Sequence, residues 1–183
     1  ALDPQRALFL PVQTIGCSEH HLDLGGSLSL THEAWLASVE SIASSVFQQD
    51  FKTLVLFNAH GGNQAIGQVA LEKIGGRHAD KQVALVTWWK LGGDRLKEFS
   101  ASGPGGSGHA CELETSLMLH FVPESVRSKK IPHRGNRPTY PWAEGDMLRA
   151  PEVSFYRDMK RMTADGTYGE PRAATARTGE RIC

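Results

Sequence analysis

Two short stretches of this 183-residue chain carry the residue types that bind metal ions and move protons. The first is Asn58-Ala59-His60-Gly61-Gly62-Asn63, set between the apolar run Thr53-Leu54-Val55-Leu56-Phe57 and a helical pattern. That run is short and rich in β-branched and aromatic residues, as a buried strand is, and the glycines after it let the backbone turn sharply and approach a ligand. Polar residues at the carboxyl end of a central strand, feeding a helix, form the crevice in which open α/β sheets bind their ligands. The second stretch is His109-Ala110-Cys111-Glu112-Leu113-Glu114-Thr115-Ser116. If it opens a helix, His109 and Glu112 share a face, and Glu114 points elsewhere unless the first turn is irregular. Imidazole and carboxylate suit Zn, Mn or Fe. Each group also has an ordinary use: a histidine at a helix start can bond backbone or water, and glutamates in a first turn answer the helix dipole. The joint occurrence of the two stretches favours a metal centre.

The elements that must position these residues follow from the breaks in the sequence. Ala7 to Ile15 reads as a strand interrupted by Pro11, and Gly16 to Leu30 as a glycine-rich loop. Thr31 is placed to cap a helix running to about Gln49, with Trp35, Val39, Ile42, Val46 and Phe47 on its apolar face. Thr53 to Phe57 is the next strand, Gln64 to Ile74 a helix ended by Gly75-Gly76, and Gln82 to Thr87 a third strand. Strands and helices alternating at these spacings imply right-handed parallel crossovers. Leu91 to Gly108 reads as a glycine-rich loop of a length common in lids and binding segments. Leu113, Leu117 and Phe121 predict an amphipathic helix that Pro123 stops. Glu124 to Met162 shows no sustained period, and Arg134, Arg137 and Lys129-Lys130 read as a solvated face. Gly166 to Pro171 reads as a structural turn.

Composition bounds the function without naming it. At 20.0 kDa the chain can bury one sizeable core and fits one domain, residues 1–183, better than two. Twenty basic and twenty acidic side chains balance, so there is no electrostatic case for nucleic acid or for an acidic membrane surface. No apolar run approaches the length of a membrane span, and Ala1 to Gln13 lacks the pattern of a signal segment. Cys17, Cys111 and Cys183 are too scattered for a disulfide framework or a C-x-x-C metal motif, which suggests a reducing, cytoplasmic setting. Cys111 is read as a small, buried, inert thiol in preference to a nucleophile, whose pKa would have to be depressed.

Taken in order, the chain shows Gly16-Cys17-Ser18-Glu19-His20, then Gly25-Gly26-Ser27-Leu28-Ser29-Leu30, then Asn58 to Asn63, His109 to Ser116, and Gly166-Thr167-Tyr168-Gly169-Glu170-Pro171. Five blocks in this order resemble the creatininase (creatinine amidohydrolase) family, which carries G-x-S-x-E-H, P-G-T-L-S-L, N-G-H-G-G-N, H-A-G-x-x-E-T-S and G-x-x-G-D-P. The resemblance implies an α/β fold, a three-layer α/β/α sandwich on a mostly parallel sheet. It also implies hydrolysis of a C–N bond of a small cyclic or linear amide with one or two divalent ions, Zn or Mn, with Fe also compatible. By the same resemblance His60 is a metal ligand, Glu114 lies at the metal centre, and His109 passes a proton to the leaving nitrogen. Trp89 and Asn63 are the expected substrate contacts, and a homo-oligomer, often a hexamer, is expected. His60 is expected to be oriented through its second ring nitrogen, with Asn58 a candidate acceptor.

The departures from the family pattern are also informative. The family's opening block, which supplies a Glu, a His and a bridging Asp to the metals, has no counterpart here, and the last helix is cut short. The chain is therefore expected to be a domain incomplete at its start and at its end. Gly62 stands where creatininase itself has a glutamate ligand, and Gly105 where it has a tryptophan over the substrate, so creatinine is not the expected natural substrate. His20 and His21 are read as hydrogen-bonded loop histidines outside the ligand set. The alternatives to a small-amide hydrolase are a peptidase of the mycofactocin-maturation type and a non-catalytic, metal-free relative.

Overall fold

The computed structural model describes residues 7–132, 135, 146–149 and 153–183. Arg134 and Arg137, read above as part of a solvated face, lie outside the described residues. The first half of the chain is a βαβ unit preceded by a helix. Helix α1 (His32–Gln48) begins where Thr31 accepts a hydrogen bond from the Ala34 amide, satisfying one of the donors that a helix start leaves free. Its buried side is Trp35, Val39, Ala43 and Phe47, one residue per turn, which places Ile42 on the flank. Strand β1 (Thr53–Asn58), helix α2 (Gln64–Arg77) and strand β2 (Gln82–Thr87) follow, and the strands pair in parallel from Thr53 opposite Gln82 to Asn58 opposite Thr87. The Gly75-Gly76 pair does not end α2, which runs on to Arg77 and stops with the His78 amide bonded to the Ile74 carbonyl.

Alternation along β1 decides where the core lies. Leu54, Leu56 and Val83 face α1 and α2 and join Trp35, Val39, Phe47, Ile66 and Ile74. The opposite face of β1 carries Val55 and Phe57, both exposed. Glu40 on α1 meets Lys73 at 3.3 Å and Arg77 at 3.2 Å on α2, a surface pairing that adds little beyond the apolar contact.

The segment from Ala7 to Ile15 is not a strand. No described strand pairs with it, and Phe9 stays 81% exposed, so its apolar pattern has neither a hydrogen-bonded ladder nor a core to bury into. The Leu91 to Gly108 region also departs from the expected loop. Helix α3 (Trp88–Leu91) starts directly from β2, α4 (Gly93–Phe99) follows, and β3 (Ser107–His109) pairs antiparallel with β4 (Tyr168–Gly169).

The second core gathers Trp89, Leu96, Cys111 and Leu113. Helix α5 (Glu112–Phe121) buries Glu112, Leu113 and Ser116, and Phe121, expected on the apolar stripe, is exposed. Two neighbours explain that rotation. The segment Ser100 to Ser102 donates to Glu112, and α7 (Ala176–Ile182) packs against Ser116 at Gly179. A Cβ on Gly179 would stand 2.1 Å from the Ser116 carbonyl, so only glycine lets the two helices approach this closely. A short helix, α6 (Met159–Met162), capped by Asp158, precedes β4. Among the described residues no helix is long and apolar enough to cross a membrane.

Candidate functional site

The site is assembled at the carboxyl end of the parallel pair. The last residues of β1 and β2, Asn58 and Thr87, are buried and bonded to each other, and Thr87 Oγ1 donates to Gln64 at the start of α2 at 2.6 Å. Asn58 Oδ1 accepts from the His60 amide at 3.1 Å. Asn58 therefore holds the backbone of His60, in place of the ring nitrogen expected for it. A 3-10 turn, Gly61–Asn63, then leads into α2.

The His60 ring reaches the loop that begins at Gly16. Its Nε2 lies 3.0 Å from Ser18 Oγ and 3.1 Å from the Cys17 carbonyl. Asn63, expected as a substrate contact, accepts from the Cys17 amide at 2.8 Å and so fastens this loop to the turn. Ser18 is held from the other side, its amide donating to Ser29 Oγ at 2.8 Å. The pinned loop continues as a 3-10 helix, Glu19–Leu24, that brings His20 and His21 to His60.

The result is a cluster of imidazoles that sequence reasoning set aside. One ligand nitrogen each from His20, His21 and His60 lies within 4.8 Å of the others. The His20 ring stacks on His60 with centroids 5.7 Å apart, and His21 sits 4.2 Å from the ring of His109. Burial, then the neighbouring rings of His109, His20 and His60, push the pKa of His21 down to about 3. Burial and His60 lower His20, and burial, His60 and His20 lower His109. Neutral imidazoles crowded in this way are the form that binds a metal ion. The local signal was present in the adjacent pair His20-His21, but only long-range folding brings it to His60.

His109 lies on β3, before the helix and not on its first turn. The next residue, Ala110, has φ of +48°, a left-handed conformation uncommon for an L residue with a side chain. This irregular turn decides which glutamate faces the histidine. Glu114 swings back so that Oε2 accepts from the Ala110 amide and stands 4.0 Å from His109 Nδ1. Burial raises the pKa of Glu114, against the lowering effect of the Ala110 and Cys111 amides. Glu112 points away from the site. Fully buried, it accepts from Ser100 Oγ, the Ala101 amide and the Ser102 amide at 2.8 to 2.9 Å, and it shapes the loop before β3.

Trp89, the other expected substrate contact, is 5% exposed and packed with Leu96, Cys111 and Leu113, which leaves its indole no open face. It acts on the site at one remove, by supporting the start of α5. Cys111 is fully buried, and burial followed by the Glu114 charge raises its thiol to about 11, the opposite of what a nucleophile needs.

Two open clefts meet at His109. One, of about 460 Å³, is lined by His21, Ser27, Asp165 and Gly166, and the other, of about 390 Å³, by Glu114, Met118, Arg127 and Pro171. His109, Ala110 and Thr167 belong to both. Gly166, at positive φ, lies in the bend that leads Thr167 into β4.

The sequence profile of the creatininase family, creatinine amidohydrolase, matches residues 1–183. A mycofactocin precursor peptide peptidase of Mycobacterium tuberculosis is 29% identical over 180 residues, which is 96% of this chain and 60% of that protein. A 3-dehydro-scyllo-inosose hydrolase of Thermotoga maritima is 25% identical over 113 residues, covering 60% of this chain and 36% of the relative. The chain thus spans 60% of the length of the mycobacterial relative. Among solved structures, a creatinine amidohydrolase superposes with a TM-score of 0.73 at 24% identity, over 98% of this chain and 71% of its own. A manganese form of creatininase superposes with a TM-score of 0.65 at 22% identity, over 86% and 61%. With a profile match along its whole length and the same α/β fold in solved relatives, this chain belongs to the creatininase family.

Proposed function

We propose that the chain carries the active site of a metal-dependent amidohydrolase that hydrolyses a C–N bond of a small cyclic or linear amide. The observation that carries this reading is the meeting of a three-imidazole cluster, His20, His21 and His60, with the His109 and Glu114 pair through the contact between the His21 and His109 rings. The donor set fits a divalent ion of borderline softness, and Zn, Mn and Fe all accept it. His60 would hold the ion, with His20 and His21 close enough to share it. A bound divalent ion would polarise the amide carbonyl and lower the pKa of water.

The remaining chemistry belongs to the chain's own side chains. Water gives a proton to His109 as it adds to the carbonyl carbon, His109 passes that proton to the leaving nitrogen, and the C–N bond breaks, so that an amide and water become an acid and an amine. Glu114, with Oε2 4.0 Å from Nδ1 of His109, is placed to orient the ring. This placement supports Glu114 as the partner of His109 more than as a ligand sharing an ion with His60. A cytoplasmic homo-oligomer acting on a small amide accords with the family and with the three free cysteines.

A second reading, a peptidase, is favoured by one specific feature. Two open clefts share His109 as a wall, as an extended substrate that passes the histidine requires. The mycobacterial relatives named as peptidases point the same way.

The test of the hydrolase reading is His109→Ala in the zinc- or manganese-loaded protein, with turnover of an amide panel and metal content measured together. Turnover is expected to fall by about 10² to 10⁴ while metal content is kept. Full activity in the variant would refute the role of His109, and failure of the unaltered protein to bind metal would refute the centre.

A further inference from the structure

We propose that the cleft holding Arg127 and Lys130 is an anion subsite that selects amides carrying a carboxylate on a short apolar body. The inference rests on the hydrolase reading, because it assigns the substrate class of that same site. The cleft of about 390 Å³ opens directly from His109 and Glu114, a size ordinary for a small-molecule site. Met118, Val126, Ile131 and Pro132 make its walls apolar, and Arg127 and Lys130 are its cationic side chains. Among the described residues neither cation has a carboxylate partner, whereas Lys73, Arg77, Lys81, Lys97 and Arg161 all do.

The two cations come from a fixed piece of backbone. Arg127 precedes and Lys130 closes the 3-10 turn Ser128–Lys130, in which the Lys130 amide bonds the Arg127 carbonyl at 2.7 Å. Lys129, between them, does not line the cleft. The wall beyond is braced from the other side by Arg172, whose Nε donates to the Pro132 carbonyl at 3.0 Å and whose Nη2 donates to the Ile131 carbonyl at 3.1 Å. A rigid turn presenting two cations to a space lined with hydrocarbon suits a carboxylate with an apolar neighbour, which the guanidinium fork and the ammonium can both bond. With the whole chain at zero net charge, the preference is local to this cleft and does not come from the protein's overall field.

The cation-bearing cleft is the one that Glu114 lines, and the imidazole cluster borders the other cleft through His21. A substrate whose scissile amide sits at His109 therefore places its carboxylate in the cleft that His20, His21 and His60 do not line. N-acyl amino acids and the carboxyl ends of peptides share that chemistry.

The experiment pairs N-acetyl amino acids with their N-methyl amides, which differ in charge but little in shape, as substrates of the zinc-loaded protein. In parallel, 3-phenylpropionate and its primary amide are titrated calorimetrically as non-hydrolysed probes. The free acids are expected to show kcat/KM at least about tenfold higher, expressed in KM, as one solvent-reachable charged hydrogen bond gives. Arg127→Ala with Lys130→Ala should remove that preference and weaken 3-phenylpropionate by a similar factor. Arg127→Glu should reverse it in favour of cationic amides. Equal rates on acid and capped amide, or an unchanged preference in the double variant, would overturn the subsite. If no amide is hydrolysed but 3-phenylpropionate still binds in a manner dependent on Arg127 and Lys130, the hydrolase reading fails and the anion subsite stands. A preference confined to longer peptides with a free carboxyl end would assign the same subsite to a peptide terminus.

Discussion

Gly62→Ala tests whether the histidine cluster depends on a close approach that no side chain can share. A Cβ at this position would lie 2.0 Å from the Cys17 carbonyl oxygen, 2.7 Å from His60 Nε2 and 2.9 Å from His20 Cε1. The first contact is with backbone, and that backbone cannot easily retreat. Cys17 and Ser18 are pinned by 2.8 Å bonds to Asn63 and Ser29. The methyl group must push the loop and the turn apart by well over an ångström, so the cost belongs at the upper end for overpacking, about 3 kcal/mol. For a chain of this size that is a fall in Tm of about 6 to 12 °C. The same displacement separates His20 from His60, and zinc affinity should fall by about 10- to 100-fold, as for loss of a group that orients a ligand. The adjacent Gly61 is the control. Nothing lies within 4 Å of a Cβ there, and its φ is not in the left-handed region, so Gly61→Ala should stay within about 1 kcal/mol and on the stabilising side. Scanning calorimetry with chelator gives the Tm, and competition with a chromophoric chelator gives the zinc affinity. If Gly62→Ala matched Gly61→Ala in both, the packing described for the loop and turn would be wrong.

Two further outcomes follow from the buried groups. Glu112→Ala strips the acceptor from the part-buried amides of Ala101 and Ser102 and from Ser100 Oγ, so it should destabilise the protein by about 1 to 3 kcal/mol in urea unfolding; a change below about 0.5 kcal/mol would show that this carboxylate does not hold the loop. The metal-free protein should lose stability in acid, because His21 stays neutral in the fold down to about pH 3 whereas an unfolded histidine takes up its proton near pH 6.5. The unfolded chain then binds more protons between those values, so stability falls as pH drops through the window. His20 and His109, also lowered, act in the same direction, and Glu114, raised, opposes them above its ordinary carboxylate range. For His21 alone the slope is at most about 1.4 kcal/mol per pH unit, less where solvent screens the ring. His21→Gln should flatten the acid limb of Tm against pH, and an unaltered limb would remove His21 from this account.

Much of the framework was legible in local patterns. The Thr31 cap, the four-residue spacing along α1, the alternation in β1 and the short run of β2 all report contacts made within one element or its nearest neighbour. The misreadings share a different cause. Ala7 to Ile15 has the composition of a strand and lacks a described partner, which no periodicity can reveal. Gly75-Gly76 weakens a helix intrinsically, yet α2 continues through it because Ile74 and the residues before it are anchored in the core. Trp89 has the same amphipathic chemistry in a core as over a substrate, and only its neighbours decide which role it takes.

The candidate site divides along the same line. By itself the sequence determined the family, through five blocks in order, and singled out His60, His109 and Glu114 as candidates, because block order and residue type survive without knowledge of distance. Tertiary structure alone decided how those residues meet. The left-handed turn at Ala110 sends Glu114 to His109 and Glu112 into the core, although helical spacing by itself pairs His109 with Glu112. The loop from Gly16 carries His20 and His21 across about forty residues of chain to His60, held there by Asn63 and by the bare Cα of Gly62. Such contacts depend on a few long-range hydrogen bonds and on the absence of one methyl group, and neither leaves a period in the sequence.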